Sequence, residues 1–394
     1  MKNQHFLPYA KQSISADDIE AVKHALSQPA ITRGPLVVEF ENAVAAYCEA
    51  QYAVAFNSAT AALMAAYHAA ETGPNDTVVT TPNSFVASVG PAIQHHATPV
   101  FIDIDRNTGN LDATQLLLNV NREHSKGKTI ITPVHFAGIP VDMQKIDASI
   151  TDYRTIVIED AAHAIGSCYK DGSKVGNCRW SHMTVFSFHP AKTMTTGEGG
   201  MVTTNDKELY HKLQLYRNNG IENDPLYLKR EDRPGYYEVN FLSGNYNVTE
   251  MQAALGISQL KRLDQFVAKR QLLMDRYREK LSSIENLRLL TPDQDLTVAY
   301  HLCVAQINFK AYKTTKKNVM EKLKEQNIGT QVHYIPLYQH PFFTSKNGNI
   351  AEYFPEMENY YAEALSLPLY YDLTEEDVDH VAMTLKNILM NSRG

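Results

Sequence analysis

Between Gln51 and Asn205 short β-branched runs alternate with helical patterns, and this rhythm leaves few folds open, because βαβ units build a mostly parallel sheet with helices packed on its faces. The candidate strands are Tyr52–Phe56, Thr77–Thr80, Pro99–Asp103, Thr129–Val134, Thr155–Ile158, Thr184–Phe188 and Gly200–Thr203. Between them, Ala59–Ala70, Ser84–His95 and Val141–Ile150 read as helices. After about Asn245 the grammar changes. Thr249 to Leu281 carries apolar residues at helical spacing over one long stretch, which predicts a connecting helix. Strands at His301–Phe309 and Gly329–Tyr334 and helices near Lys316–Gln326 and Glu375–Met390 then predict a smaller domain. The expected organisation is an α/β chain: a large domain over residues 1–245 and a small C-terminal α+β domain over 246–394. The N-terminal helices, about Ala16–Leu26 and Val37–Cys48, could pack on either.

Charge narrows the partners. Lys plus Arg number 37 and Asp plus Glu 44, a net charge of −7, so no basic excess invites nucleic acid or an anionic membrane surface. No apolar run approaches the ~18 residues of a membrane span, and the opening MKNQHFLPYAKQ lacks the apolar core of a secretory signal. Cys48, Cys168, Cys178 and Cys303 show neither a disulfide framework nor zinc-ligand spacing. A cytoplasmic protein with reduced thiols and no bound metal is the expectation.

Four local features carry chemistry, each with an ordinary reading beside it. Lys192 follows a strand in FSFHPAKTMTTGEGG, at the strand ends where open α/β sheets bind ligands, although most lysines are solvated surface groups. Asp160 ends the strand TIVIED, placed either to pair with a cationic ring nitrogen or to cap the next turn. Ser58, Ala59 and Thr60 open a helix after the first strand, where free N–H groups and hydroxyls suit a phosphate as well as an ordinary cap. Phe85 lies just past another strand, as a plate against a flat ring or as core. Together they fit a phosphorylated aromatic aldehyde held as a Schiff base, the description of pyridoxal 5′-phosphate. Rival motifs fail. Gly127-Lys128-Thr129 resembles a P-loop tail, but its upstream glycine position holds Arg122, and no G-x-G-x-x-G follows the first strand.

The segments FNSATAAL, TTPNSFVAS, VHFAGIPVDM, IEDAAHAIGS, FSFHPAKTMTTGEGGMV and NYNVTEMQAALG, in this order over nearly the whole chain, resemble the DegT/DnrJ/EryC1/StrS family of sugar-nucleotide aminotransferases. TTPNSFVAS, SFHPAKTMTTGEGG and QVHYIPLYQHPFF are most similar to its pseudaminic acid branch. The resemblance implies the aspartate aminotransferase-like fold type I of pyridoxal phosphate enzymes and a homodimer with shared active sites. It implies Lys192 as the Schiff-base lysine, Asp160 at the pyridine nitrogen, Phe85 on the ring face and His163 beside the ring hydroxyl. Phosphate would be held at Ser58, Ala59, Thr60 and Ser187, with Asn245 from the second subunit.

For the substrate it implies the Thr32–Gly34 loop, His333, Tyr334 and Tyr338. It implies amino transfer from L-glutamate to C4 of a UDP-linked 4-keto-6-deoxy-2-acetamido sugar. Alternatives are a sibling aminotransferase on another 3-keto or 4-keto sugar nucleotide, a sugar dehydratase, which would carry histidine at Lys192, or a non-catalytic regulatory homologue. One position departs from the family. Relatives have arginine in the N-[FY]-R stretch where this chain has Asn247, and Arg217 is the conceivable substitute.

Overall fold

The computed structural model describes residues 5–120, 127–230 and 233–393; Arg122 lies outside them. Seven strands, β1 (Tyr52–Phe56), β2 (Thr77–Thr80), β3 (Thr98–Phe101), β4 (Thr129–Thr132), β5 (Thr155–Asp160), β6 (Met183–Ser187) and β7 (Gly200–Thr204), form one sheet in the order β1-β7-β6-β5-β4-β2-β3. Only β7 runs against its neighbours. Six strands therefore end on the same edge.

These strands read as continuous apolar runs because both faces are covered. Successive side chains alternate faces: Val54, Val78, Ile130, Ile158 and Val185 enter one core with Leu63 and Tyr67 of helix Ala59–Ala69, while Ala55, Val79, Ile131, Val157 and Phe186 enter the opposite core with Phe40 and Val44 of helix Pro35–Cys48. Beyond them, Leu287–Leu289, Cys303–Ile307 and Ala364–Leu367 make a small antiparallel sheet, of which only the middle strand is apparent from the sequence. This is the α/β fold type I arrangement, with a large mostly parallel sheet and a smaller C-terminal α+β part.

Several expectations are corrected. The single helix expected over Thr249–Leu281 is two, Glu250–Leu260 and Leu263–Leu281. At the break, Arg262 turns its guanidinium to the fully buried Asp18 (3.0 Å) and lies over the Phe266 ring. Ser258 and Gln259 bond the same carboxylate, which fastens helix Ala16–Leu26 to this point. Helix Leu263–Leu281 runs between cores: Leu263, Phe266 and Val267 pack beneath the large sheet, whereas Leu273, Met274 and Tyr277 pack with the small one.

The helix expected over Ser84–His95 is a 3₁₀ turn, Val86–Ser88, followed by the short helix Gly90–Gln94. Pro91 lacks an N–H, so it sits in a first turn and cannot continue a helix already under way. Helix Ala113–Val120 is present where none was expected. Gly329–Tyr334 is not a strand; only Gln331 bridges to Ser366. Lys128 is no phosphate ligand, since its ammonium donates to the Ala70 and Glu71 carbonyls (2.7 and 2.8 Å) at the end of helix Ala59–Ala69. No helix among the described residues is long and apolar enough to cross a membrane.

Candidate active site

The loops that leave the common strand edge converge on a cavity of about 330 Å³. Ser58, Ala59 and Thr60 come from the turn after β1, Ser84 and Phe85 from that after β2, Asp160 and His163 from the end of β5, and Ser187 and Lys192 from β6 and its loop. The C-terminal part closes it with His301, His333 and Tyr334, and the N-terminal segment adds Tyr9. A larger groove of about 600 Å³ lies elsewhere, lined by Arg106, Lys145, Arg288 and Asp293 among others. There Arg106 pairs with Glu363, Asp293 with Lys170, and Arg288 bonds Asn107 and Gln306, so those groups serve the fold.

At the start of helix Ala59–Ala69, the Ser58 hydroxyl accepts the Ala61 N–H (3.1 Å). The Ala59 and Thr60 amides, left without acceptors by helix geometry, line the cavity at the positive end of the helix dipole. Ser187, at the end of β6, brings a hydroxyl to the same wall. This cradle suits a phosphate. It depends on Gly200, where a Cβ would lie 2.6 Å from the Ala59 nitrogen and 2.6 Å from the Ser58 carbonyl. Backbone cannot yield as a flexible side chain can, so Gly200→Ala is expected to destabilise the fold by about 1–3 kcal/mol and to weaken phosphate binding. Denaturant unfolding of the protein without ligand, alongside ligand titration, measures the two effects separately.

Asp160 is both things the sequence allowed. One carboxylate oxygen accepts the Ala162 N–H (3.1 Å), closing the turn, and the other accepts the Ser88 hydroxyl (2.5 Å), while the residue still lines the cavity. Phe85 is 58% exposed, which excludes the core reading, and its ring centroid lies 6.5 Å from that of Tyr334. Lys192 is no surface lysine. Burial pulls its ammonium down to about 8, against the opposing pull of the Asp160 charge. Below that value the amine is protonated and cannot attack a carbonyl, and above it the free amine predominates. Covalent capture of an aldehyde is therefore expected to accelerate with rising pH up to about 8 and then level off, measurable as the pH profile of the capture rate with the ligand-free protein.

Burial, together with the Lys192 charge, holds His163 well below the ordinary histidine range, so its ring is neutral. Its Nδ1 accepts the Ala137 N–H (3.3 Å), which places the proton on Nε2, facing the Tyr334 hydroxyl at 3.1 Å. Tyr334 thus accepts from His163 and keeps its own proton to donate. His333 is pushed down to about 3 by burial and by Lys192, with Nδ1 at 2.8 Å from the Ser366 hydroxyl.

Not every expected residue comes to this cavity. Tyr338 is corrected: it is 1% exposed, and its hydroxyl donates to Glu358 (2.7 Å). Gly34 and Arg217 line a separate pocket of about 340 Å³ with Asn247, and Thr32 bridges Thr249. The Gly34 N–H is held by buried Glu250 (2.9 Å), and the Arg217 guanidinium is paired with buried Glu41. Arg217 is therefore occupied and no free stand-in for the family arginine. Asn245 is exposed, with its side-chain oxygen accepting from the Asn247 amide (2.8 Å). Of the other lining residues, Ser84 belongs to the TTPNSFVAS segment, whereas Tyr9 and His301 carry no local signal in the sequence.

The sequence model described as the DegT/DnrJ/EryC1/StrS aminotransferase family matches residues 12–386. The chain is 38% identical over 389 residues to the spore coat polysaccharide biosynthesis protein SpsC of Bacillus subtilis, covering 98% of each chain. It is 34% identical over 384 residues to the UDP-4-amino-4,6-dideoxy-N-acetyl-beta-L-altrosamine transaminase of Campylobacter jejuni, covering 97% of each. Among solved structures, PseC of Helicobacter pylori, an aminotransferase involved in the biosynthesis of pseudoaminic acid, matches with a TM-score of 0.88 at 29% identity, over 98% of this chain and 100% of that one. The putative sugar aminotransferase Spr1654 of Streptococcus pneumoniae, solved in its PMP form, matches with a TM-score of 0.88 at 26% identity, over 98% and 100%.

Proposed function

The chain belongs to the DegT/DnrJ/EryC1/StrS aminotransferase family, and from that premise we propose that it is a pyridoxal phosphate enzyme moving an amino group from L-glutamate to C4 of a UDP-linked 4-keto-6-deoxy-2-acetamido sugar. One observation carries this reading: Lys192, Asp160, Phe85 and the first-turn residues Ala59 and Thr60 line one cavity. That set fits the cofactor group by group. The Ala59 and Thr60 amides with the Thr60 and Ser187 hydroxyls would take the phosphate, Phe85 would cover one ring face, His163 would face the ring hydroxyl, and Lys192 would hold the cofactor through its amine.

When bound, pyridoxal phosphate supplies an electrophilic carbon and a ring that draws electron density from the donor's α-carbon. Asp160 has two of its four lone-pair positions taken by Ser88 and Ala162, so it keeps acceptor capacity for a protonated ring nitrogen. The Lys192 amine is the group that would remove the proton from the donor α-carbon and would deliver one at C4 of the sugar. Its depressed proton affinity, near 8, suits both directions at neutral pH. Tyr334 and His333, which line the same cavity, would contact the sugar, and the exposed Asn245, away from this cavity, would serve the site of a second subunit in a homodimer. The finer assignment, to the pseudaminic acid step, draws support from the Campylobacter and Helicobacter relatives.

A sibling keto sugar is the competing reading, because the relative with 38% identity is named for spore coat polysaccharide biosynthesis. The test is absorbance of the cofactor-loaded protein. L-glutamate should shift the cofactor band, and a panel of keto UDP-sugars should be tried for its return. Return with the 4-keto 6-deoxy L-sugar alone supports the full reading, and return only with another sugar replaces the substrate. No response to L-glutamate overturns the reading as an aminotransferase using that donor.

A further inference from the structure

Behind the cavity wall lies a run of hydroxyls, two of them in the TTPNSFVAS segment, to which the mechanism above gives no role beyond occupying one acceptor position of Asp160. Ser88 is fully buried, and its hydroxyl lies 2.5 Å from an oxygen of Asp160. An ionised carboxylate only accepts, so Ser88 spends its single proton there. The Ser84 hydroxyl is in close hydrogen-bonding contact with the same Ser88 oxygen; with the Ser88 proton committed, Ser84 must be the donor of that bond. The bonds therefore all point one way, from Ser84 on the cavity wall through Ser88 to Asp160. A second set of bonds fixes the backbone of Ser88: the Tyr67 hydroxyl donates to the Ser88 carbonyl (2.5 Å), and Thr132 lies 2.8 Å from the Tyr67 oxygen, where it can only donate. Ser84, Ser88, Tyr67 and Thr132 are all buried.

We infer that Ser88 is a positioning residue, whose oriented hydroxyl, backed by Ser84 and anchored by Tyr67, locks the plane of the Asp160 carboxylate toward the ring nitrogen of a pyridine-type cofactor. This rests on the reading of the cavity as a pyridoxal phosphate site. The Ala162 N–H holds one oxygen through a short turn, and Ser88 alone among the described side chains holds the other. Without that second donor the carboxylate is free to rotate about its last torsion, and a charge-assisted hydrogen bond to a buried anion is lost.

The experiment uses 4′-deoxypyridoxine 5′-phosphate, which keeps the ring nitrogen and phosphate but has no aldehyde to react with Lys192. Its affinity for the ligand-free protein is measured by fluorescence titration in the wild type, Ser88→Ala, Asp160→Ala and the double variant. Ser88→Ala removes one oxygen and adds no volume, and the melting midpoint of each variant confirms folding. A residue that acts through Asp160 weakens binding about ten- to a hundredfold when Asp160 is present and has no further effect once Asp160 is gone. Parallel turnover measurements should show Ser88→Ala lowering kcat more than it raises the KM for the amino donor. Unchanged affinity in Ser88→Ala, or an equal loss in both backgrounds, overturns the inference. Failure of the wild type to bind the analogue overturns instead the cofactor reading beneath it.

Discussion

Lys192→Ala is expected to lower amino transfer by about 10⁴-fold or more, since in the proposed mechanism the one side chain would both hold the cofactor and move the proton, and general acid–base catalysis alone contributes roughly 10²–10⁴. The fold should survive. Among the described residues no side-chain hydrogen bond from Lys192 supports a neighbouring element, and truncation relieves an ammonium that desolvation already disfavours. The variant should still bind the phosphate and ring through the Ala59 turn and Asp160, so cofactor would be retained reversibly and lost on dialysis. Stopped-flow absorbance after addition of L-glutamate is the measurement. A variant that keeps more than about one-hundredth of wild-type turnover would move the proton-transfer role to another group, with His163 excluded as a base of ordinary strength by its lowered proton affinity and by the Ala137 N–H on its free ring nitrogen.

Asp160→Asn is expected to cost on the order of 10³-fold in kcat, the scale seen when a preorganised electrostatic partner is removed from a water-excluded site. Asparagine has the same shape and can still accept the Ala162 N–H, so the turn after β5 should persist. It presents an amide where the carboxylate presented negative charge, and the protonated ring nitrogen loses its counter-charge. The Ser88 hydroxyl, now facing an NH₂ group or a neutral oxygen, loses its strong acceptor as well. The loss should fall on kcat rather than on the KM for L-glutamate, because the charge is needed most as electron density moves into the ring. Steady-state kinetics with saturating cofactor separate the two, and a fall confined to KM would contradict the assignment.

Much of the site was legible in the chain because its parts lie in local motifs. A residue at the end of a strand is placed by that strand, and six parallel strands end together; Asp160, Phe85, Lys192 and the Ala59 turn converge without any long-range detail being known. His163 and Ser187 follow for the same reason, being within a few residues of strand ends. Residues beyond the large sheet were less accessible to such reasoning. His333 and Tyr334 do reach the cavity, but through an irregular segment rather than the strand expected. Tyr338, four residues beyond Tyr334, turns inward to Glu358 instead.

The layered α/β architecture and the residue types that gather at the strand ends were readable from the chain alone, since alternation of apolar runs and the chemistry of strand ends are local properties. Packing in three dimensions set the strand order, put Ser88 behind Asp160, paired Arg217 with Glu41, broke the long helix at Arg262 over Asp18, and brought His301 and Tyr9 to complete the wall. Each of these joins residues far apart in the chain or depends on which of several acceptors a donor meets. Sequence spacing carries no record of that choice, because it is made by the packing of whole elements and by burial that leaves a polar group one partner to satisfy.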